Sequence, residues 1–223
     1  MNRDYLLTEL RVSYNRTAKH PLTKELTKQA TAARSVFYKH TLSWGTDGIQ
    51  LLPVPLFDRF DRTMQHLVTA FGETARRAGY GMLSGMQCHY MPFPADAEHL
   101  PYALPIKRQL MQDVKRRLFY ARCDLVAKIE STIEGALDRM IVDYVQGVAY
   151  PRKFHDTIFT LILDACDLFS VMNIDQSSAI DEVITKLRAL ASEHEPQTVR
   201  RNAEIRTDLA NRLNALYAVL SNA

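Results

Sequence analysis

Residues 105–148 read PIKRQLMQDVKRRLFYARCDLVAKIESTIEGALDRMIVDYVQGV, and the fold turns on this stretch. Val114, Leu118, Ala121, Leu125, Ile129, Ile133, Leu137, Met140, Tyr144 and Val148 follow one another at steps of three and four. That spacing draws one apolar stripe along an α-helix. Pro105 suits a first helical turn, and Gly147 with Pro151 marks the end. At 1.5 Å per residue the helix would be ~65 Å long, more than a small domain is wide. It must pack along several partners, bend near Gly135, or project into another subunit.

Shorter segments flank it. Leu10, Val12 and Tyr14 alternate with Arg11, Ser13 and Asn15, the period of a half-buried strand. Thr23 stands where an N-cap would, before a helix through Leu26, Ala30, Ala33 and Phe37. Trp44-Gly45-Thr46-Asp47-Gly48 reads as a turn, and Pro53 and Pro55 close the apolar run Ile49–Val54. Phe57, Phe60, Met64, Leu67, Val68, Phe71, Ala75 and Ala78 predict a helix from about Leu56 to Ala78, stopped by Gly79, Gly81 and Gly85. Residues 82–104, with Pro92, Pro94 and Pro101, read as irregular.

Beyond the long helix, Phe154 to Phe169 is apolar on more than one face, which predicts a central helix over about 152–172. Ser177 or Ser178 would cap the next, with Asp181 and Glu182 in its first turn. Pro196 would open the last helix, carrying Val199, Leu209, Leu213, Leu216 and Leu220. Short connections argue for antiparallel packing. The expected fold is therefore mostly α: an antiparallel helical bundle around one very long helix (about 105–148), with a small β element in the N-terminal 55 residues. Residues 1–55 form an N-terminal segment, and residues 56–223 a continuous bundle.

Composition bounds function loosely. Of 223 residues, 47% are hydrophobic and 24% charged, as in ordinary globular proteins, and the net charge of +3 is a weak signal for nucleic acid. Cys88, Cys123 and Cys166 are odd in number and far apart, which implies a reducing compartment. No apolar run approaches the ~18 residues of a membrane span. A cytoplasmic location is expected, without membrane association.

Catalytic patterns are missing. Cys88, His89, Glu98 and His99 share one segment but lack the paired spacing that tetrahedral zinc requires. Glu130, Glu134 and Asp138 stand four apart on one helix face, and without a Glu-x-x-His partner they read as a solvated acidic stripe. There is no GxSxG, SxxK, GxGxxG or GxxxxGK[ST]. Cys123 and Cys166 fall in apolar helical contexts and are expected to be buried and inert. No catalytic residue, metal, cofactor or small-molecule substrate is expected.

The charge pattern says more. Lys107, Arg108, Lys115, Arg116, Arg117 and Arg122 oppose only Asp113 in the first half of the long helix. Asp124, Glu130, Glu134, Asp138 and Asp143 dominate the second, against Lys128 and Arg139. The helix dipole favours the reverse order, so helix stability does not account for it. Arg108, Lys115 and Arg122, seven apart, would share a face. One reading is ion pairing with other helices, or staggered antiparallel self-association of the long helix. The other is a phosphate-contacting face, joined by Arg76, Arg77, Arg200 and Arg201. No aromatic-interleaved basic motif of the single-strand-binding kind stands out.

Tyr38-Lys-His-Thr-Leu-Ser-Trp44, followed by Gly48-Ile-Gln-Leu-Leu-Pro53, resembles the Y-x-x-T-L-P-W … G-x-R-L-L-P segment of an uncharacterised family of tailed-phage and prophage proteins. Ser43 stands at the family's proline and Gln50 at its arginine. Phe154 through Asn173-Ile174, and Val199-Arg200-Arg201 through Arg206, are similar to the family's C-terminal helices. The resemblance implies a phage-encoded protein of the host cytoplasm. It also implies distant likeness to proteins encoded beside MoxR-like AAA+ ATPases, hence an adaptor role, and it brings no catalytic residues. From the residues alone, Thr41, Leu42, Trp44, Leu51, Leu52 and Pro53 read as a turn anchored in the core. The expected function is thus non-enzymatic: a phage protein, working as a homo-oligomer, that acts as adaptor, regulator or assembly component by binding proteins. The alternative is nucleic-acid binding by the basic half of the long helix.

Overall fold

A computed structural model describes residues 5–14, 20–45, 47–80, 84–93, 104–140, 142–145, 148–151 and 157–220. The chain divides into two compact units, Met1–Ala121 and Arg122–Ala223. It is mostly helical, with a small antiparallel sheet near the N-terminus.

The first unit holds strands β1 (Tyr5–Ser13), β2 (Leu42–Ser43), β3 (Gln50–Pro53) and β4 (Gly85–Pro92), in the order β2-β3-β1-β4. All neighbouring pairs are antiparallel. The alternation read at Leu10, Val12 and Tyr14 belongs to β1, which begins earlier, at Tyr5. β3 lies inside the sheet and is buried at all four residues. Its apolar residues Leu51, Leu52 and Pro53 follow one another without alternation, and the polar Gln50 is buried with them.

Residues 82–104 are not irregular throughout. β4 pairs with β1 along its whole length, from Leu6–Pro92 to Ser13–Gly85. Met86, Cys88 and Tyr90 alternate with Gln87, His89 and Met91, and the first three pack toward the helices. The rest of the segment, 94–103, lies outside the described residues.

Helices α1 (Thr23–His40) and α2 (Phe57–Arg77) pack together and share a core with the sheet. Leu26, Phe37, Phe60, Met64 and Phe71 are fully enclosed there. Each side chain of this size contributes about 1.5–3 kcal/mol relative to standing in water. Since α2 shares this core, a boundary at residue 55 falls within one unit. Thr23 opens α1 but does not cap it; Leu22 occupies that place, its amide donating to His20 Nδ1 at 3.2 Å.

α3 (Leu104–Met140) has 37 residues and contributes to both units. Its apolar stripe is buried at Val114, Ala121, Leu125, Ile129, Ile133, Ala136 and Met140. The expected continuation to Val148 is wrong. Residues 142–145 and 148–151 form an antiparallel hairpin, β5 and β6. Val142, Tyr144, Val145, Val148 and Tyr150 are β-branched or aromatic and suit strands at least as well as helix. The period-3.6 count could not see that.

In the second unit α4 (Thr157–Met172) packs on α5 (Ser178–Glu193), and α5 on α7 (Ala203–Leu220). α4 begins later than expected and keeps a water-facing side, with Leu161 47% exposed, so it is not wholly enclosed. The last helix is two: α6 (Pro196–Arg201) ends at Asn202, whose Oδ1 accepts from the amides of Glu204 and Ile205 at 2.9 and 3.3 Å and caps α7.

The turn into α5 hangs on Asn173, a buried polar residue. Its Nδ2 donates to the Ser177 carbonyl at 3.1 Å and to Asp181 Oδ1 at 2.7 Å, and its Oδ1 accepts from the Ser177 amide at 3.1 Å. Ser177 sits at the N-cap, but its hydroxyl makes no cap bond. Replacing Asn173→Ala strands three partners, so urea unfolding should show a loss of about 1–3 kcal/mol. Ser177→Ala should cost less than half of that; equal losses would refute the assignment.

Candidate interaction face on helix α3

The water-facing side of α3 follows from its buried one. Arg108, Gln112, Lys115, Arg116, Phe119, Tyr120, Cys123, Ala127, Ser131 and Gly135 are all exposed. Phe119 is 62% exposed and Tyr120 42%, the rings lying 6.3 Å apart. Lys115 and Arg116 precede Phe119 by one turn, and Arg122 and Cys123 follow it by one turn.

The predicted basic residues divide. Arg108 and Lys115 are exposed, and Arg122 is half-buried, so the seven-residue row slides toward the buried side. Arg116 Nη2 meets Asp113 Oδ1 at 2.7 Å, an exposed pair one turn apart. Arg117 leaves the face altogether: its Nη1 donates to the Trp44 carbonyl at 3.0 Å and to Asp47 Oδ2 at 3.1 Å. The Lys107 side chain lies outside the described residues. Arg76 and Arg77 stand in the last turn of α2, and Arg200 and Arg201 in that of α6. There the helix dipole favours cations, which accounts for them without a ligand.

Arg117 explains the turn that the resemblance singled out. Gly45 and Gly48 have φ of 140° and 80°, conformations that favour glycine. Trp44 is 2% exposed, its ring edge-on to Phe93 at 5.1 Å. Thr41, Leu42, Leu51 and Leu52 are fully buried. These residues anchor the β2–β3 connection in the core, as their types suggested.

Acidic residues occupy the other half of α3. Glu134 Oε1 accepts from the Tyr217 hydroxyl of α7 at 3.0 Å, and that hydrogen bond holds the phenol above its ordinary pKa. Glu134 and Asp138 are exposed, Glu130 half-exposed. Cys88 and His89 are successive residues of β4 and so point to opposite faces of the sheet, while Glu98 and His99 lie outside the described residues. Among the described residues no three His, Cys, Asp or Glu side chains gather into a metal-holding group.

A second surface feature is an apolar groove of about 360 Å³ between α5 and α7, floored by Ala189, Leu190, Ala215, Leu216 and Val219. The cations at its rim are engaged: Lys186 with Glu182 at 2.6 Å, Arg212 with Glu193 at 2.8 Å.

Sequence reasoning missed Phe119 and Tyr120, although the signal was there. Residues 115–122 read KRRLFYAR, with two aromatics set among cations, both outside the stripe Val114, Leu118, Ala121, Leu125. It also misplaced Cys123, which is exposed. Flanking apolar residues do not bury a cysteine that falls on the opposite side of the helix.

Compared with family models, with curated proteins and with solved structures, the chain matches none. No helix among the described residues is long and apolar enough to cross a membrane.

Two measurements check this placement. Cys166 is buried and its thiol pushed up to about 11 by desolvation, and burial raises Cys88 as well. At pH 8 a colorimetric thiol reagent should therefore modify Cys123 at once and the other two only on unfolding. Two fast thiols per chain would contradict it. Arg117→Ala should lower stability by about 1–2 kcal/mol, since it removes a charge-assisted bond to a buried turn's carbonyl, whereas Lys115→Ala should change it by under ~0.5 kcal/mol.

Proposed function

We propose that this chain is a non-enzymatic, phage-encoded protein of the host cytoplasm that acts by binding other proteins, with the water-facing side of α3 as its contact surface. On this reading α4, α5 and α7 of the second unit pack as an antiparallel bundle. The observation that carries it is the pair Phe119 and Tyr120, left 62% and 42% exposed side by side on a regular helix. Aromatic side chains in water amid polar neighbours are the usual anchors of protein interfaces.

The charges favour a protein over a phosphate backbone. Of the six cations proposed for the face, Arg116 answers Asp113 and Arg117 answers Asp47, which leaves a diluted positive row. Phage origin rests on the resemblance of residues 38–53. Three free cysteines accord with a reducing compartment. Adaptor, regulator and assembly component are all roles such a face serves.

The test is a quantitative pull-down from nuclease-treated lysate of infected cells, wild type against Phe119→Ser/Tyr120→Ser. Loss of an aromatic anchor costs ~2 kcal/mol or more, so retained partner should fall at least ~30-fold, with circular dichroism unchanged. Partners that vanish on nuclease treatment alone would instead mark Phe119 and Tyr120 as base-stacking residues beside Lys115.

A further inference from the structure

We infer that the partner seated on this face is a second copy of the same chain, docked antiparallel with its two-fold axis at Cys123. The inference rests on the protein-binding reading and names the occupant.

Charge complementarity selects the copy and its direction. α3 is basic on its exposed side before Cys123, at Arg108, Lys115 and Arg116. After it come the exposed Glu134 and Asp138 and the half-buried Glu130, against one exposed cation, Arg139. A parallel pair would set like charges against like. An antiparallel pair centred on Cys123 sets Arg116 against the second copy's Glu130, and does so twice by symmetry.

Shape agrees with that register. Phe119 falls opposite the second copy's Ala127, an exposed small residue that leaves space for the ring. Further along, a Cβ built on Gly135 would meet nothing within 4 Å. The exposed row Phe119, Cys123, Ala127, Ser131 runs at steps of four. Rows of that kind interdigitate at a crossing angle near −50°, with axes about 8–10 Å apart. At the axis itself the two Cys123 side chains face each other.

The experiment reads mass and cross-linking on the full-length chain. Sedimentation equilibrium of the wild type should give twice the chain mass. Arg116→Glu alone and Glu130→Arg alone should each weaken the dimer at least ~10-fold, and the double swap should restore it. Diamide should then join the wild type into a disulfide-linked dimer: one S–S bond forms while the reagent takes up two electrons and two protons. Cys123→Ser should remain dimeric but fail to cross-link.

A monomeric wild type at every concentration would overturn the inference, and so would a dimer indifferent to both reversals or one that never cross-links through Cys123. The wider reading fails separately. A monomer whose nuclease-resistant partners still depend on Phe119 and Tyr120 keeps protein binding and loses self-pairing. A dimer of this register with no other dependent partner confines the face to self-association.

Discussion

A helix has one circumference, and burial of a single stripe along α3 decides what remains in water. Ala121, Leu125, Ile129 and Ile133, buried to within 1% of full enclosure, succeed one another at steps of four. Four residues overshoot a 3.6-residue turn by about 40°, so the stripe winds around the axis. The exposed row winds with it, from Phe119 through Cys123 and Ala127 to Gly135. Every exposed residue of the candidate face takes its place from that phase.

The same phase sorts three neighbouring cations. Lys115 and Arg116 fall outward, while Arg117 falls beside the β2–β3 turn and is drawn into it by the Trp44 carbonyl and the Asp47 carboxylate. The turn needs such a partner. The chain reverses there through Gly45 and Gly48, and the Trp44 carbonyl accepts from Arg117 of the helix. A guanidinium, with donors in a fixed fork, can serve a carbonyl and a carboxylate together. A run of like residues in sequence is thus two kinds of residue in space.

What could be read from sequence was local. The stripe of α2, the turn at Gly45 and Gly48, and the phase of α3 depend on neighbours within a few residues, and local patterns report them. β4 was hidden because its partner, β1, lies about eighty positions earlier, and the prolines at 92 and 94 suggested a loop. The end of α3 was hidden because valines and tyrosines fit strand and helix alike. The first cap falls one residue before Thr23, on Leu22, and Ser177 stands at its N-cap without a cap bond, because the buried Asn173 makes the hydrogen bonds that hold that turn. At the candidate face, the charges were conspicuous and the aromatics were not, although both stand in the same eight residues.

That imbalance bears on how the face should be weighed. A surface ion pair such as Arg116–Asp113 is worth at most about 1 kcal/mol, and salt screens it. Phe119, left largely in water, forgoes much of the about 1.5–3 kcal/mol of burial that enclosed aromatics such as Phe37, Phe60 and Phe71 obtain. An exposed cation on a helix needs no explanation, since solvent satisfies it. Two adjacent exposed aromatics do, because water gives them nothing that a partner would not better. The charges then act on direction: they do little to hold a partner, but a basic half followed by an acidic half admits an antiparallel copy and penalises a parallel one. On the proposed reading, affinity would come from Phe119 and Tyr120 and orientation from the split charge.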